Sequence, residues 1–167
     1  MQSCISSLIV NALIECKYID EQDKCIVGTP VNLRNCVELE NAYGPLIQML
    51  PTIVTSGIDA KSMEKTKNAI SETLKNKFVP YDHIVKEYGK NLFELVITSF
   101  RKYDNLSNDE YNQNIAIYPD KFGSTMFIYE GNNEIELVLS SYYLDYEMMD
   151  NIISKVKNKI KSLGKVE

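Results

Sequence analysis

The run Lys24-Cys25-Ile26-Val27-Gly28-Thr29-Pro30-Val31-Asn32-Leu33 decides how the rest of the chain is read. It follows the polar turn Asp20-Glu21-Gln22-Asp23, is rich in β-branched residues and carries two breakers, so it reads as a buried strand interrupted near Gly28 and Pro30. Upstream, Ile5, Leu8, Ile9, Ala12, Leu13 and Cys16 recur at three- and four-residue steps, which predicts a helix from Cys4 to Cys16 with one apolar face. Downstream, a short helix is predicted over Val37 to Asn41. Gly44 and Pro45 punctuate the chain, and Leu46 to Val54 has the Ile, Leu and Val content of a second buried strand.

Further along, Met63, Thr66, Ile70, Thr73, Leu74 and Phe78 mark a long helix, with Ile58-Asp59 as its cap and Lys and Glu on its outer face. It ends before Pro80, which can start a short helix carrying His83. Leu92 to Phe100 reads as a strand buried on both faces, and the stretch from Tyr103 to Asn114 as a polar loop. Three more strands are predicted over Ile115 to Tyr118, Thr125 to Tyr129 and Glu134 to Ser141, the last two joined as a hairpin at Gly131-Asn132-Asn133. The final helix runs from Tyr146 to Leu163, with Met149, Ile152, Ile153, Val156, Ile160 and Leu163 on one stripe, and ends near Gly164. Such alternation predicts an α/β fold in one domain over 1–167: a mixed β-sheet with helices packed on its face.

Composition narrows the function. The chain has 167 residues, 44% hydrophobic and 25% charged, with 18 Lys plus Arg against 23 Asp plus Glu and a net charge of −5. Phosphate backbones and anionic membrane surfaces need clustered cations, and only Lys155, Lys157, Lys159, Lys161 and Lys165 approach a cluster, on a helix whose negative end they offset. We therefore expect no nucleic-acid and no membrane partner. The stretch Ile5 to Ile14 is too short to span a bilayer, is broken by Ser6, Ser7 and Asn11 and has no basic leader, so a cytoplasmic protein is expected. Cys4, Cys16, Cys25 and Cys36 stand 12, 9 and 11 residues apart, which fits no zinc spacing; they read as buried thiols.

Chemistry is limited by one count. His83 is the single histidine, so neither a histidine metal pair nor a tandem-histidine motif can be completed by this chain. The seven glycines are scattered and form no phosphate loop, and no Gly-x-Ser-x-Gly elbow is present. Glu38 with Glu40, and Asp145 with Glu147 and Asp150, read as solvated faces. Residue chemistry alone assigns no catalytic group and no metal ligand.

Four segments, taken in order, resemble the condensation domains of nonribosomal peptide synthetases. Cys25 to Asn35 is similar to their "vvGtPvanR" strand, and Tyr43-Gly44-Pro45-Leu46-Ile47-Gln48-Met49-Leu50-Pro51 to their I-G-x-F-x-N-x-L-P motif. Phe78 to Val85 resembles the H-Q-D-x-P-F-E segment with its helix, and Glu134 to Leu163 the closing strand, Tyr-Tyr-x-x-Asp corner and helix. Gln48 stands where the family has Asn, Leu46 where it has Phe, and Asn76 where it has the leading His.

The resemblance runs from about Ser3 to Leu163 and covers only the C-terminal lobe of the two-lobed chloramphenicol acetyltransferase-like fold. The N-terminal lobe, which carries the H-H-x-x-x-D-G motif, has no counterpart in it. It implies one wall of a tunnel in which carrier proteins present an acyl donor and an amine acceptor on phosphopantetheine arms, with the reacting imidazole supplied by the N-terminal lobe. Gln48 is implied to face that tunnel, with Asn32, Arg34 and Asn35 beside the same sheet edge; Arg34 can also simply pair with Glu38 or cap a loop. Leu92 to Phe100 and the polar loop after it take the place of a latch that crosses to the other lobe and would leave apolar strand surface exposed. The partners implied are carrier protein domains and an N-terminal lobe. A non-catalytic module that binds a carrier protein or undergoes self-association, and a lobe that acylates hydroxyl groups, are the alternative readings.

Overall fold

The computed structural model describes residues 2–19, 24–34, 37–41, 43, 46–89, 92–93, 95–101, 123–131 and 134–163. The elements are α1 (Gln2–Glu15), β1 (Lys24–Asn32), α2 (Val37–Glu40), β2 (Ile47–Thr55), α3 (Ala60–Lys75), α4 (Tyr81–Tyr88), β3 (Leu95–Arg101), β4 (Ser124–Glu130), β5 (Ile135–Ser141) and α5 (Tyr146–Leu163). The strands form one mixed sheet in the order β2-β1-β3-β4-β5. Its centre is parallel, where β3 pairs with β1 and β4, and both flanking ladders, β1–β2 and β4–β5, are antiparallel. This is the predicted mixed sheet. The predicted strand over Ile115 to Tyr118 and the polar loop before it lie outside the described residues, as do Asn132 and Asn133. The β4–β5 hairpin is formed, with the Gly131 amide donating to the Glu134 carbonyl at 2.9 Å.

β1 is not interrupted. It pairs residue for residue with β2 from Lys24 opposite Thr55 to Asn32 opposite Ile47. The Leu33 amide donates to the Leu46 carbonyl at 2.8 Å, which sets the phase of the ladder. Amides alternate in direction along a strand, so odd-numbered residues of β1 turn theirs toward β2 and even-numbered ones turn theirs away. Pro30 therefore lacks its donor on the side away from β2, where the β1–β3 ladder is formed at Gly28 and Val96. Pro51 lies opposite Gly28 and lacks its donor at the outer edge of β2. Neither proline removes a β1–β2 hydrogen bond, so the strand continues through both breakers.

That outer edge is covered by α3. By the same alternation, the backbone groups of Pro51 and Thr55 face away from β1. The Thr55 amide donates to Thr66 Oγ1 at 3.0 Å, and that hydroxyl donates to the Thr55 carbonyl at 3.3 Å. Ser7 Oγ of α1 donates to the same Thr66 oxygen at 2.9 Å. Thr66 is fully buried, and its hydroxyl uses its one proton and both lone pairs. Further down the helix, Thr73 Oγ1 reaches the Pro51 carbonyl and accepts from Thr52 Oγ1. A helix laid along an edge with side chains satisfying its backbone removes the template for unwanted strand pairing.

α1 departs from the amphipathic helix expected. Residues 5 to 10 are all buried, Ser6 and Ser7 included, because α1 lies on the sheet with α3 on one side and α5 on the other. Leu8, Ile9 and Leu13 are completely buried with Val27, Val54, Ile97, Met126, Ile128, Ile152 and Val156. Each such side chain contributes about 2 kcal/mol of transfer free energy. Ser7, small enough for a close crossing, meets α3 through its hydrogen bond to Thr66. At the outer end of α1, Glu15 accepts from Lys159 at 2.6 Å and pairs with Lys155 at 3.6 Å, fastening α1 to α5.

The strand part of the expected latch does not leave its apolar surface unpaired, and the loop part lies outside the described residues. β3 is a central strand hydrogen-bonded on both sides, and Leu95, Val96, Ile97 and Thr98 are buried. Four buried residues in succession are the signature of a strand covered on both faces, so this apolar surface belongs to the sheet.

Two measurements test this account. Thr66→Val leaves the buried edge groups of Thr55 without partners and is expected to lower unfolding stability by about 2 kcal/mol, whereas Thr66→Ser, which keeps the hydroxyl, costs less than about 1 kcal/mol in denaturant titrations. The Glu15 carboxyl titrates below its ordinary range, chiefly through the Lys159 hydrogen bond and also through the charges of Lys159 and Lys155. Its contribution to stability is therefore present above the unfolded carboxylate pKa and lost as pH falls through the lower folded value. Glu15→Gln should cost about 0.5 kcal/mol at neutral pH, a figure discounted for the half-exposed pair, and the variant and parent stabilities should converge in acid.

Candidate functional site

The groups with the most defined polar geometry lie along α3, from its N-terminal cap to the α3–α4 corner beside β2. Asp59 caps α3, accepting from the Ser62 amide at 3.0 Å and from Ser62 Oγ at 2.6 Å, and these bonds hold its carboxyl below the usual range. The cap lies where the sequence predicts it. α3 then runs antiparallel to β2 and ends at Asn76, whose Nδ2 donates to the Glu72 carbonyl at 3.0 Å. The Val79 amide donates back to the Asn76 carbonyl, and the Val79 carbonyl accepts from Gln48 Nε2. Pro80 follows in extended conformation and α4 begins, as predicted.

Beyond the corner the chain reaches the opposite face of the sheet. Gly28 presents that face, and a Cβ placed on it would lie 2.5 Å from the Phe93 ring, well inside contact distance. Phe93 is only 7% exposed and its ring centroid lies 6.2 Å from that of Tyr81, the first residue of α4. A glycine in a strand that admits an aromatic ring onto the backbone explains Gly28 without a break. Between β2, α3 and α4 lies a groove of about 450 Å³. Leu50, Pro51, Ile53, Ala69 and Ile84 supply apolar walls, with Thr73 and Asn76 as polar groups among them.

Gln48 and Asn32 stand at the same end of the β1–β2 ladder but on opposite faces, because Gln48 pairs with Val31 and Asn32 pairs with Ile47. The amide of Gln48 is engaged by the Val79 carbonyl. Asn32 is exposed, and its Oδ1 accepts from the Arg34 amide at 2.9 Å in a local turn. Arg34 is exposed as well. Asn35 lies outside the described residues. Phe93 and Val79 belong to this corner and were not singled out from the sequence, and Thr73 was read only as part of the face of α3; the isolated glycine inside a strand pattern is the signal that leads to Phe93.

His83 is exposed on α4. Among the described residues no group of three or more metal-ligating side chains comes together. Cys16 is buried, Cys4 and Cys25 are half-buried, and burial pushes the Cys4 and Cys16 thiols up, away from the nucleophilic thiolate. Cys36 lies outside the described residues. Glu38, Asp145, Glu147 and Asp150 are exposed, as predicted for solvated faces, with Asp145 Oδ1 accepting from the Met148 amide at the start of α5. No helix of the described residues is long and apolar enough to cross a membrane.

The second face of the sheet also carries exposed apolar surface. Ile26 and Ile53 form a cross-strand pair there, 45% and 50% exposed, with Ile47 farther along β2. On the neighbouring strands the rings of Phe100, Phe127 and Tyr129 stack at centroid separations from 5.5 to 6.5 Å, and burial raises the Tyr129 phenol pKa.

No protein-family model matches the sequence, and no curated protein sequence matches it. Solved structures do match its fold. The starter condensation domain of rhizomide synthetase RzmA superposes with a TM-score of 0.69 at 12% identity, over 97% of this chain and 42% of that one. A chain from a complex of the X-domain and OxyB from teicoplanin biosynthesis gives 0.75 at 12% identity, over 99% of this chain and 40% of that one. A structure describing condensation domain-mediated chain release from the enacyloxin polyketide synthase gives 0.66 at 14%, over 96% and 35%. The chain thus has the fold of a condensation-domain lobe, chloramphenicol acetyltransferase-like, and spans about two fifths of the length of the first two structures.

Gly28→Ala is expected to expel the Phe93 ring from the sheet and loosen its contact with Tyr81. The cost should be about 1–3 kcal/mol, as for other overpacked sites. Pairing it with Phe93→Ala, which vacates the space a Cβ would take, should recover part of that loss in the same chemical denaturation experiment.

Proposed function

We propose that this chain forms the C-terminal lobe of a condensation-like acyltransferase, one wall of a passage in which an amide bond is made between carrier-bound substrates. The observation that carries the reading is the match of nearly the whole chain to about two fifths of condensation-domain structures, taken with the order of the four motif segments. In this reading the reactive imidazole belongs to an N-terminal lobe, since the one histidine here is exposed on α4. Carrier protein domains deliver donor and acceptor as thioesters on phosphopantetheine arms, in the cytoplasm. Catalysis by such an arrangement draws chiefly on positioning: holding the acceptor amine against the acyl carbonyl replaces a bimolecular encounter by a local one, and a nearby base takes the amine proton.

The exposed apolar pair Ile26 and Ile53, with Ile47, supports an unfilled contact for the companion lobe, since contiguous apolar surface on a sheet face marks an interaction site. Gln48, Asn32, Arg34 and Asn35 are our candidates for residues near the passage. With the Gln48 amide engaged by Val79, Gln48 would act on the passage by holding the α3–α4 corner, while Asn32 and Arg34 border it at the open end of β1.

The experiment combines the purified chain, a matching N-terminal lobe and loaded donor and acceptor carrier proteins, and follows product by mass spectrometry. Product is expected only when both lobes are present, and His83→Ala should leave the yield unchanged. Product from this chain without another lobe overturns the reading. Retained carrier binding with no transfer, even with the companion lobe, favours a non-catalytic module. Ile53→Lys, at a half-exposed position, should preserve the circular dichroism spectrum while weakening co-elution with the companion lobe about tenfold, the effect of burying an unpaired charge at an apolar contact.

A further inference from the structure

The helix α4 differs from the other helices in how it is held. None of its eight residues is buried. Among the described residues it is tied to the body two residues before its start, where the Val79 carbonyl accepts from Gln48, and at its first residue, where Tyr81 meets Phe93. Ile84 faces the groove of about 450 Å³ across from Leu50 and Pro51, so the middle of the helix stands over open space. A helix of two turns is not stable alone in water, and its docked state depends on these few contacts.

Both ends of α4 have joints. Pro80 enters it at φ −62° and ψ 136°, extended, with no side-chain cap on the first turn. Gly89 leaves it at φ 93° and ψ 177°, a region that only glycine occupies at low cost, and a Cβ there would meet nothing within 4 Å. Gly89 thus supplies a backbone position that a side chain would strain, with open space beside it.

We propose that α4 is a hinged flap over the groove, swinging as a unit about Pro80 and Gly89, with Gln48–Val79 and Tyr81–Phe93 as the two contacts that hold it closed. Opening removes the Ile84 wall and bares Leu50 and more of Pro51 while the sheet, α1 and α3 remain in place. The flap does not rest on the acyltransfer reading, since its evidence is confined to this corner.

Hydrogen exchange on the intact chain, read by mass spectrometry or nuclear magnetic resonance, tests it. The amides of 83–89, whose bonds run from His83 to the Pro80 carbonyl through Gly89 to the Val85 carbonyl, should be at least tenfold less protected than those in the middle of α3. Gln48→Glu keeps the reach of the side chain but cannot donate to a carbonyl as a carboxylate, and should speed exchange in 83–89 about tenfold further. Tyr81→Ala should do the same through the other contact. Protection in α1, β3 and the centre of α3 should stay unchanged in both variants. Exchange of α4 in step with α3 and β2 in the parent protein overturns the proposal. So does an equal rise across every element in the variants, which would mean that the two contacts support the fold as a whole.

Discussion

A sheet edge has to be closed, and here the closure falls on one hydroxyl. Thr66 Oγ1 takes the Thr55 amide, returns its proton to the Thr55 carbonyl and accepts from Ser7, so α1, α3 and the last residue of β2 meet at a single buried atom. Each of these groups would otherwise be a polar atom away from water, and leaving one unpaired costs about 1–3 kcal/mol. The layout of the N-terminal half follows. α3 must lie antiparallel along β2 to bring Thr66 to Thr55 and Thr73 to Pro51, and α1 must lie against α3 with a small residue at the crossing. The α3–α4 corner then arrives where Gln48 can reach it.

Much of this was legible in the sequence because it depends on period and on local chemistry. The stripe from Met149 to Leu163 gives α5 with its observed bounds, the Asp59 cap starts α3, and the glycine turn joins β4 to β5. What was not legible depends on partners. Gly28 and Pro30 punctuate a strand only if the chain needs a Cβ or a donor there. The first position is filled by the Phe93 ring, and the second faces away from the β1–β2 ladder, a matter of phase that no single strand announces. Likewise Ser7 of α1 looks like a break in an apolar stripe, and becomes a helix contact once α3 lies beside it. Within Leu92 to Phe100 the buried strand expected is formed as β3, between β1 and β4, and the loop half of the expected latch lies outside the described residues.

The corner was legible only in part. Gln48 could be singled out because it sits in a motif, yet its carbonyl partner belongs to Val79, and a backbone atom carries no mark in the sequence. Thr73 reads as one more residue of an amphipathic face, although its hydroxyl closes a stretch of sheet edge. The alternation of faces separates Asn32 from Gln48 even though both belong to the same end of one hairpin, a consequence of one-residue offsets in register that motif order does not display.

A fold retained at 12% identity asks which constraints survive when residues do not. A parallel centre flanked by antiparallel edges demands buried β-branched strands at the middle, a covered edge at one side and helices on the core face. Many sequences meet those terms, because volume and pattern suffice for a core, whereas placing a reacting group demands tenths of an ångström. Fold therefore outlasts chemistry as sequences diverge, and likeness of fold alone says less about reaction than about shape. The distribution of rigidity in this chain follows the same division. Its sheet, α1, α3 and α5 are tied by buried packing and satisfied hydroxyls, while α4, none of whose residues is fully buried, stands at the groove. Under the proposed reading, in which the chain lines a passage, adjustment to what passes along it comes from the part that the core does not hold.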